Sequence, residues 1–98
     1  MQVFNELVRD KISEIIAQNG DHCETEIMSD DAYLAALNQK LQEGLNEYLA
    51  SGDIEELADL AEVMRAILDF KFVKIEDFEA LREVKVEKRG AFKKRRFC

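Results

Sequence analysis

The sequence predicts an all-α fold: a four-helix bundle built around a central antiparallel helical hairpin and completed by oligomerisation. Three observations lead there. Proline is absent and glycine occurs only four times in 98 residues, so little punctuates long helices. Apolar residues make up 47% of the chain and recur at spacings of three and four. A chain this short lies near the lower limit of what one core can support alone, so a homodimer or homotetramer is expected to finish it. Residues 1–98 read as one domain, with a basic tail over about 89–98.

The elements follow in order. Leu7, Ile12, Ile15 and Ile16 fit a first helix over 5–18, closed by Asn19, Gly20 and Asp21. The polar stretch "DHCETEIMS" alternates weakly at Cys23, Thr25 and Ile27 and reads as an extended connector. Ser29 or Asp30 then caps a long helix running to about residue 50. Its apolar positions are Tyr33, Leu34, Leu37, Leu41, Leu45, Tyr48 and Leu49, centred on Leu34, Leu41 and Leu45. "SGD" is a short break, and Asp53 with Glu56 has the spacing of an N-cap and its third-position acid, opening a helix to about residue 70. So short a turn predicts an antiparallel hairpin. "FKFVK" is the second break, a last helix spans 75–88, and Gly90 ends it.

Charge and cysteines narrow the function classes. The net charge is −7, yet eight of the 14 basic residues fall between Arg82 and Cys98 beside only Glu83 and Glu87. The preceding residues therefore hold six basic against 19 of the 21 acidic side chains. An acidic body and a basic tail either meet each other or meet a ligand carrying both metal and phosphate. Against nucleic acid as the main partner stand the acidic body and the absence of aromatics in the tail beyond Phe92 and Phe97. Cys23 and Cys98 form no metal or disulfide framework and suit a reducing cytoplasm, and His22 reads as a surface residue. Neither a signal peptide nor a run of transmembrane length is present, so a cytoplasmic protein with no membrane partner is expected.

The acids of the predicted hairpin carry the chemistry. Each helical residue turns about 100°, which sets Glu56 between Val63 and Ile67 on the apolar stripe, with Asp59 at its edge. Glu55 and Glu62 point outward as solvated acids. On the preceding helix Glu47 borders the apolar face on the side of Lys40, and Gly44 lies one turn before Glu47. An antiparallel pairing lets positions 44 and 47 face 56 and 59, a four-position cluster of which three are acids. A carboxylate in an apolar stripe is costly unless paired or bound to a cation. A partner arginine or lysine is one solution. The other is Mg²⁺ or Mn²⁺, which oxygen-rich clusters suit and which link protein to substrate phosphates.

Glu43-Gly44-Leu45-Asn46-Glu47 followed by Glu56-Leu57-Ala58-Asp59 resembles the E-E-x-x-E and E-x-x-D signature of the MazG-like, all-α nucleoside triphosphate pyrophosphohydrolases, relatives of phosphoribosyl-ATP pyrophosphohydrolase. "NELVRDKI" resembles the start of one small-protein branch, "EELADLAEVMRAI" its third-helix motif, and "KRGAFKKR" its C-terminal signature. The resemblance implies a helical dimer or tetramer that binds Mg²⁺ and cleaves nucleoside triphosphates to monophosphate and pyrophosphate, often clearing noncanonical nucleotides. Carried over, Glu47, Glu56 and Asp59 hold metal, while Glu43 supports the cluster or engages a metal-bound water. All four are the catalytic candidates. Arg9, Lys11, Lys40, Arg89 and Lys93 are the candidates to hold phosphate oxygens.

Gly44 departs from that signature, which has a metal-binding glutamate there. Three consequences are open: water replaces the lost oxygen, glycine makes room for a bulky substrate or another subunit, or catalysis is lost. Ser13 and Ala91 are milder departures, in place of a proline and a glycine. The rival expectation is a non-catalytic helical module that binds a nucleotide or a protein.

Overall fold

The computed structural model describes the backbone of residues 2, 3 and 6–98, and the side chains from residue 6 onward except that of Cys23. Four helices carry the architecture: α1 (Ile12–Gln18), α2 (Asp30–Ser51), α3 (Ile54–Phe70) and α4 (Ile75–Arg89). Two strands of two residues each, β1 (Gln2–Val3) and β2 (Cys23–Glu24), pair in parallel, Gln2 opposite Cys23 and Val3 opposite Glu24. The extended connector thus supplies β2. The expected first-helix start at Asn5 and the Cys23 thiol lie outside the described residues. Among the described residues, no helix is long and apolar enough to cross a membrane. By its contacts the chain divides into two compact units, Met1–Ile67 and Leu68–Cys98.

The first unit is organised by α2. Ser29 Oγ accepts from the Ala32 amide at 3.4 Å, covering one of the donors that a helix start leaves unpaired. Gly52 ends the helix in the left-handed region (φ 71°), its amide donating to Tyr48 O at 2.7 Å. The Glu56 amide then donates to Asp53 O at 3.2 Å as α3 begins. Helix α1 is about two turns shorter than the periodicity suggests. Residues 6–11 instead run without regular structure along a cleft bordered by α2 and α3, where their side chains find partners that a helix would have turned away.

The buried seam of α2 is also displaced from its expected centre. Leu37 and Gly44, two turns apart, are the buried positions, while Leu45 is 41% exposed. Gly44 is the cause. A Cβ at that position would lie 3.1 Å from Leu60 Cδ1 and 3.8 Å from Leu60 Cα, so the missing side chain lets α3 close onto α2 there. Together with a hydrogen bond between the Glu47 and Glu56 carboxyls, this fixes an antiparallel register: residues 44 and 47 of α2 lie against 60 and 56 of α3. Among described apolar residues only Ile16 and Leu37 are buried.

The second unit holds the last turn of α3, the break and α4. Two helix ends invite comparison, one from each unit. After α1, Gly20 N donates to Ala17 O and Asp21 N to Ile16 O; after α3, Phe72 N donates to Asp69 O and Val73 N to Leu68 O. Both are Schellman endings with a left-handed residue, Gly20 (φ 81°) in one and Phe72 (φ 59°) in the other. Phenylalanine tolerates that conformation poorly. Helix α4 ends where Gly90 N meets Val86 O at 2.7 Å, and residues 80–98 are exposed throughout.

Candidate functional site

The candidate site is an open cleft of about 660 Å³ in the first unit. Its floor comes from α2 (Tyr33, Leu37, Lys40, Glu43, Gly44, Glu47) and α3 (Asp59, Glu62, Val63, Ala66), and its rim from residues 6–12. The helical spacing of the acids brings them here: Glu43 and Glu47 are one turn apart on α2, Asp59 and Glu62 one turn apart on α3. Nine lining residues of the floor and rim thereby present both signs of charge in one space, Arg9, Lys11 and Lys40 among six acids, four from the helices and Glu6 and Asp10 from the rim.

Glu56 is half-buried and opposes Glu47 across the helix pair. Its carboxyl is raised above the ordinary value, first by partial burial, then by the hydrogen bond to Glu47 and that group's charge, with Asp59 and Asp53 adding to it. The charges that raise Glu56, those of Glu47, Asp59 and Asp53, are all acidic. Among the described residues, pairing with arginine or lysine, one of the two solutions open to such a residue, is therefore not the one Glu56 adopts.

Asp59 differs. Its Oδ1 takes a hydrogen bond from Arg9 Nη2 at 2.7 Å, with both side chains more than half exposed. A solvated pair of this kind is worth about 0–1 kcal/mol. Glu43 is half-buried and also engaged: Lys40 Nζ lies 3.3 Å from its Oε2, and Gln39 Nε2 donates to its Oε1 at 3.4 Å. Lys40 reaches Glu6 Oε2 at 2.9 Å as well. Burial pulls its ammonium down, but the hydrogen bonds and charges of Glu6 and Glu43 outweigh that and leave it raised.

The donor chemistry fits a hard divalent cation at Glu47 and Glu56, two oxygen donors that repel unless a proton or metal lies between them. Asp59 stands near enough for its charge to act on Glu56, yet Arg9 holds it. As placed, no group of three or more His, Cys, Asp or Glu among the described residues is close enough to hold one ion. Three-carboxylate ligation therefore requires Asp59 to leave Arg9. Position 44 adds nothing to the donor set, since the space opened by its glycine is filled by Leu60 of the same chain. Neither another subunit nor a bulky substrate is needed to explain that glycine.

Of the basic candidates, Arg9, Lys11 and Lys40 line the cleft. Arg89 closes α4 and Lys93 follows it, both exposed in the second unit. Two participants escape sequence reasoning. Glu62 lines the cleft although helical geometry alone points it outward; its spacing of three from Asp59 is the signal that places it. Glu6 is fixed by Lys40, 34 positions away, and no local pattern encodes that.

No family model matches the chain, and neither the curated proteins nor the solved structures contain a match.

Proposed function

We propose that the protein is a Mg²⁺-dependent hydrolase of phosphoanhydride bonds. More particularly, we read it as a MazG-like pyrophosphohydrolase that takes a nucleoside triphosphate to its monophosphate and pyrophosphate. The observation that carries this is the Glu47–Glu56 carboxyl pair, which has no cationic partner among the described residues, beside a cleft that also offers Arg9, Lys11 and Lys40. Glu47, Glu56 and a released Asp59 would hold a divalent cation, Mg²⁺ or in its place Mn²⁺, which would supply neutralisation of the triphosphate and orientation of the attacking water. Arg9, Lys11 and Lys40 hold phosphate oxygens within the cleft, Arg as a two-pronged donor and Lys as a point charge. Glu43, tied to Lys40, keeps that ammonium beside the acids. Arg89 and Lys93, in the second unit, are phosphate-binding candidates on the resemblance of "KRGAFKKR" alone.

The same proposal includes assembly of copies into a helical bundle, a homodimer or homotetramer. Leu45, Leu49, Leu57 and Met64 are 39–69% exposed on the hairpin, and a small groove between Leu41, Leu45 and Leu60 adjoins them. Apolar surface of this kind, with no charged residue lining the groove, fits the same face of a second copy.

A second reading is favoured by Leu60 filling the place beside Gly44 and by Arg9 holding Asp59: a non-catalytic module that binds nucleotide without cleaving it. Incubation of the purified protein with standard and modified nucleoside triphosphates plus Mg²⁺ or Mn²⁺ separates the two. Pyrophosphate release that Glu56→Gln abolishes supports the hydrolase. Metal-dependent binding with no release from any nucleotide establishes the module instead.

A further inference from the structure

Residues 6–11 cross the cleft as an irregular segment fastened twice to the hairpin. Glu6 takes Lys40 of α2 at 2.9 Å, and Arg9 takes Asp59 of α3 at 2.7 Å. The partners are 34 and 50 positions apart, so these contacts hold the segment against the helices rather than shape it locally. The Arg9 and Asp59 side chains are 60% and 56% exposed, which leaves the pair in water and free to exchange. Glu56 and Glu62 lie one turn to either side of Asp59 on its own helix and Glu47 lies on α2, while Asp10, Lys11 and Lys40 share the cleft.

We infer that residues 6–11 form a strap and that the Arg9–Asp59 pair is its latch: the guanidinium serves Asp59 as an internal counter-cation, and a ligand carrying both a divalent cation and phosphate opens the latch by exchanging partners. Arg9 moves to the phosphate oxygens and Asp59 turns to the cation. The inference rests on the cation-and-phosphate reading of the cleft given above.

The charge balance explains why both parts of the ligand are needed. A cation arriving alone displaces Arg9 and costs the guanidinium its hydrogen-bonded partner. Phosphate arriving alone takes Arg9 and leaves Asp59 without its counter-cation beside Glu56 and Glu62. Only the two together give both Arg9 and Asp59 a new opposite charge, so their binding is cooperative, and the coupling is reciprocal. The second fastening need not break, because Lys40 is shared between Glu6 and Glu43 and retains both. Residues 6–11 then pivot about Glu6 while Arg9 swings.

Calorimetry with Mn²⁺ alone, inorganic tripolyphosphate alone and their preformed complex tests the latch on wild type and Arg9→Gln. Amide exchange over residues 6–11, in metal-free protein and including Asp59→Asn, provides a readout that needs no ligand. The wild type is expected to bind the complex at least tenfold more tightly than either component. Arg9→Gln should bind Mn²⁺ alone about two- to fivefold more tightly than wild type, since a latched fraction no longer competes, and gain little from tripolyphosphate. Both variants should exchange residues 6–11 faster, with α2 unchanged. Equal Mn²⁺ affinity in wild type and Arg9→Gln, with equal enhancement by tripolyphosphate, overturns the latch and leaves the cation site standing. Absence of Mn²⁺ binding to either protein, alone or as the complex, overturns the latch and the reading beneath it together.

Discussion

The two sides of the α2–α3 hairpin are put to opposite uses. On one side Lys40, Glu43, Glu47, Asp59 and Glu62 line a cleft that residues 6–12 border, and the ion pairs of Arg9 and Lys40 are made there. On the other, Leu41, Leu45 and Leu60 line a small groove with no charged neighbour, and Leu45, Leu49 and Leu57 stay in water. The polar side pairs Arg9, Lys40, Glu6, Glu43 and Asp59 within the chain and leaves Glu47 facing Glu56, whereas the apolar side keeps several leucines in water. Hydrophobic surface is non-directional and useful only when covered, so each side leaves something for a partner to complete, a charge on one and apolar area on the other. Gly44 sits between the two uses, lining the cleft by its backbone while admitting Leu60 of the other helix.

The largest expected effect breaks the apolar side. Replacing Leu45 and Leu49 together by glutamate should convert an assembled protein to monomer in sedimentation at tens of micromolar, with a clear loss of thermal stability. A wild type that already sediments as a monomer would remove the distinction between the sides. Next comes the boundary residue. Gly44→Glu should lower stability by about 1–3 kcal/mol in urea, because its Cβ meets Leu60 Cδ1 at 3.1 Å and drives a charge between the helices. Gly44→Ala should stay within about 1 kcal/mol of wild type, helix propensity offsetting a small shift of Leu60.

The polar side predicts a pH signature. The Glu56 carboxyl is raised in the folded protein above 4.5, so the fold binds that proton more strongly than the unfolded chain does. Its contribution is present in full below about pH 4.5 and is lost as pH rises through the raised value. Glu56→Gln, in the absence of metal, should therefore flatten the decline in melting temperature above that pH and leave the variant more stable than wild type at pH 8. A variant whose pH profile parallels wild type would mean that Glu47 and Glu56 do not interact. The smallest effect lies outside the hairpin comparison and serves as its control. Phe72→Gly should stabilise by roughly 0.5–1 kcal/mol, since it relieves a left-handed phenylalanine that is 95% exposed.

How far the sequence foretold this depends on the range of the interactions. Helices α2, α3 and α4 lie within a residue or two of their expected bounds because caps, glycines and 3.6-residue periodicity are local. The opposition of Glu47 and Glu56 was legible too, from a three-residue turn and the helical repeat alone. Residues 6–11 were not. Leu7 continues the pattern of Ile12 and Ile15 by spacing, but the segment is held by Lys40 and Asp59, which no local window contains. The displaced seam of α2 has the same origin: only the presence of Leu60 opposite Gly44 shows that glycine, and not leucine, marks the closest approach.

The proposed binding of a cation and phosphate in the cleft is tested most directly by calorimetric binding of a nonhydrolysable nucleoside triphosphate to wild type and Glu56→Gln, each with and without Mg²⁺. The expected result is binding by wild type that requires Mg²⁺ and weakens at least tenfold in Glu56→Gln. Equal affinity in both proteins, indifferent to Mg²⁺, would contradict it.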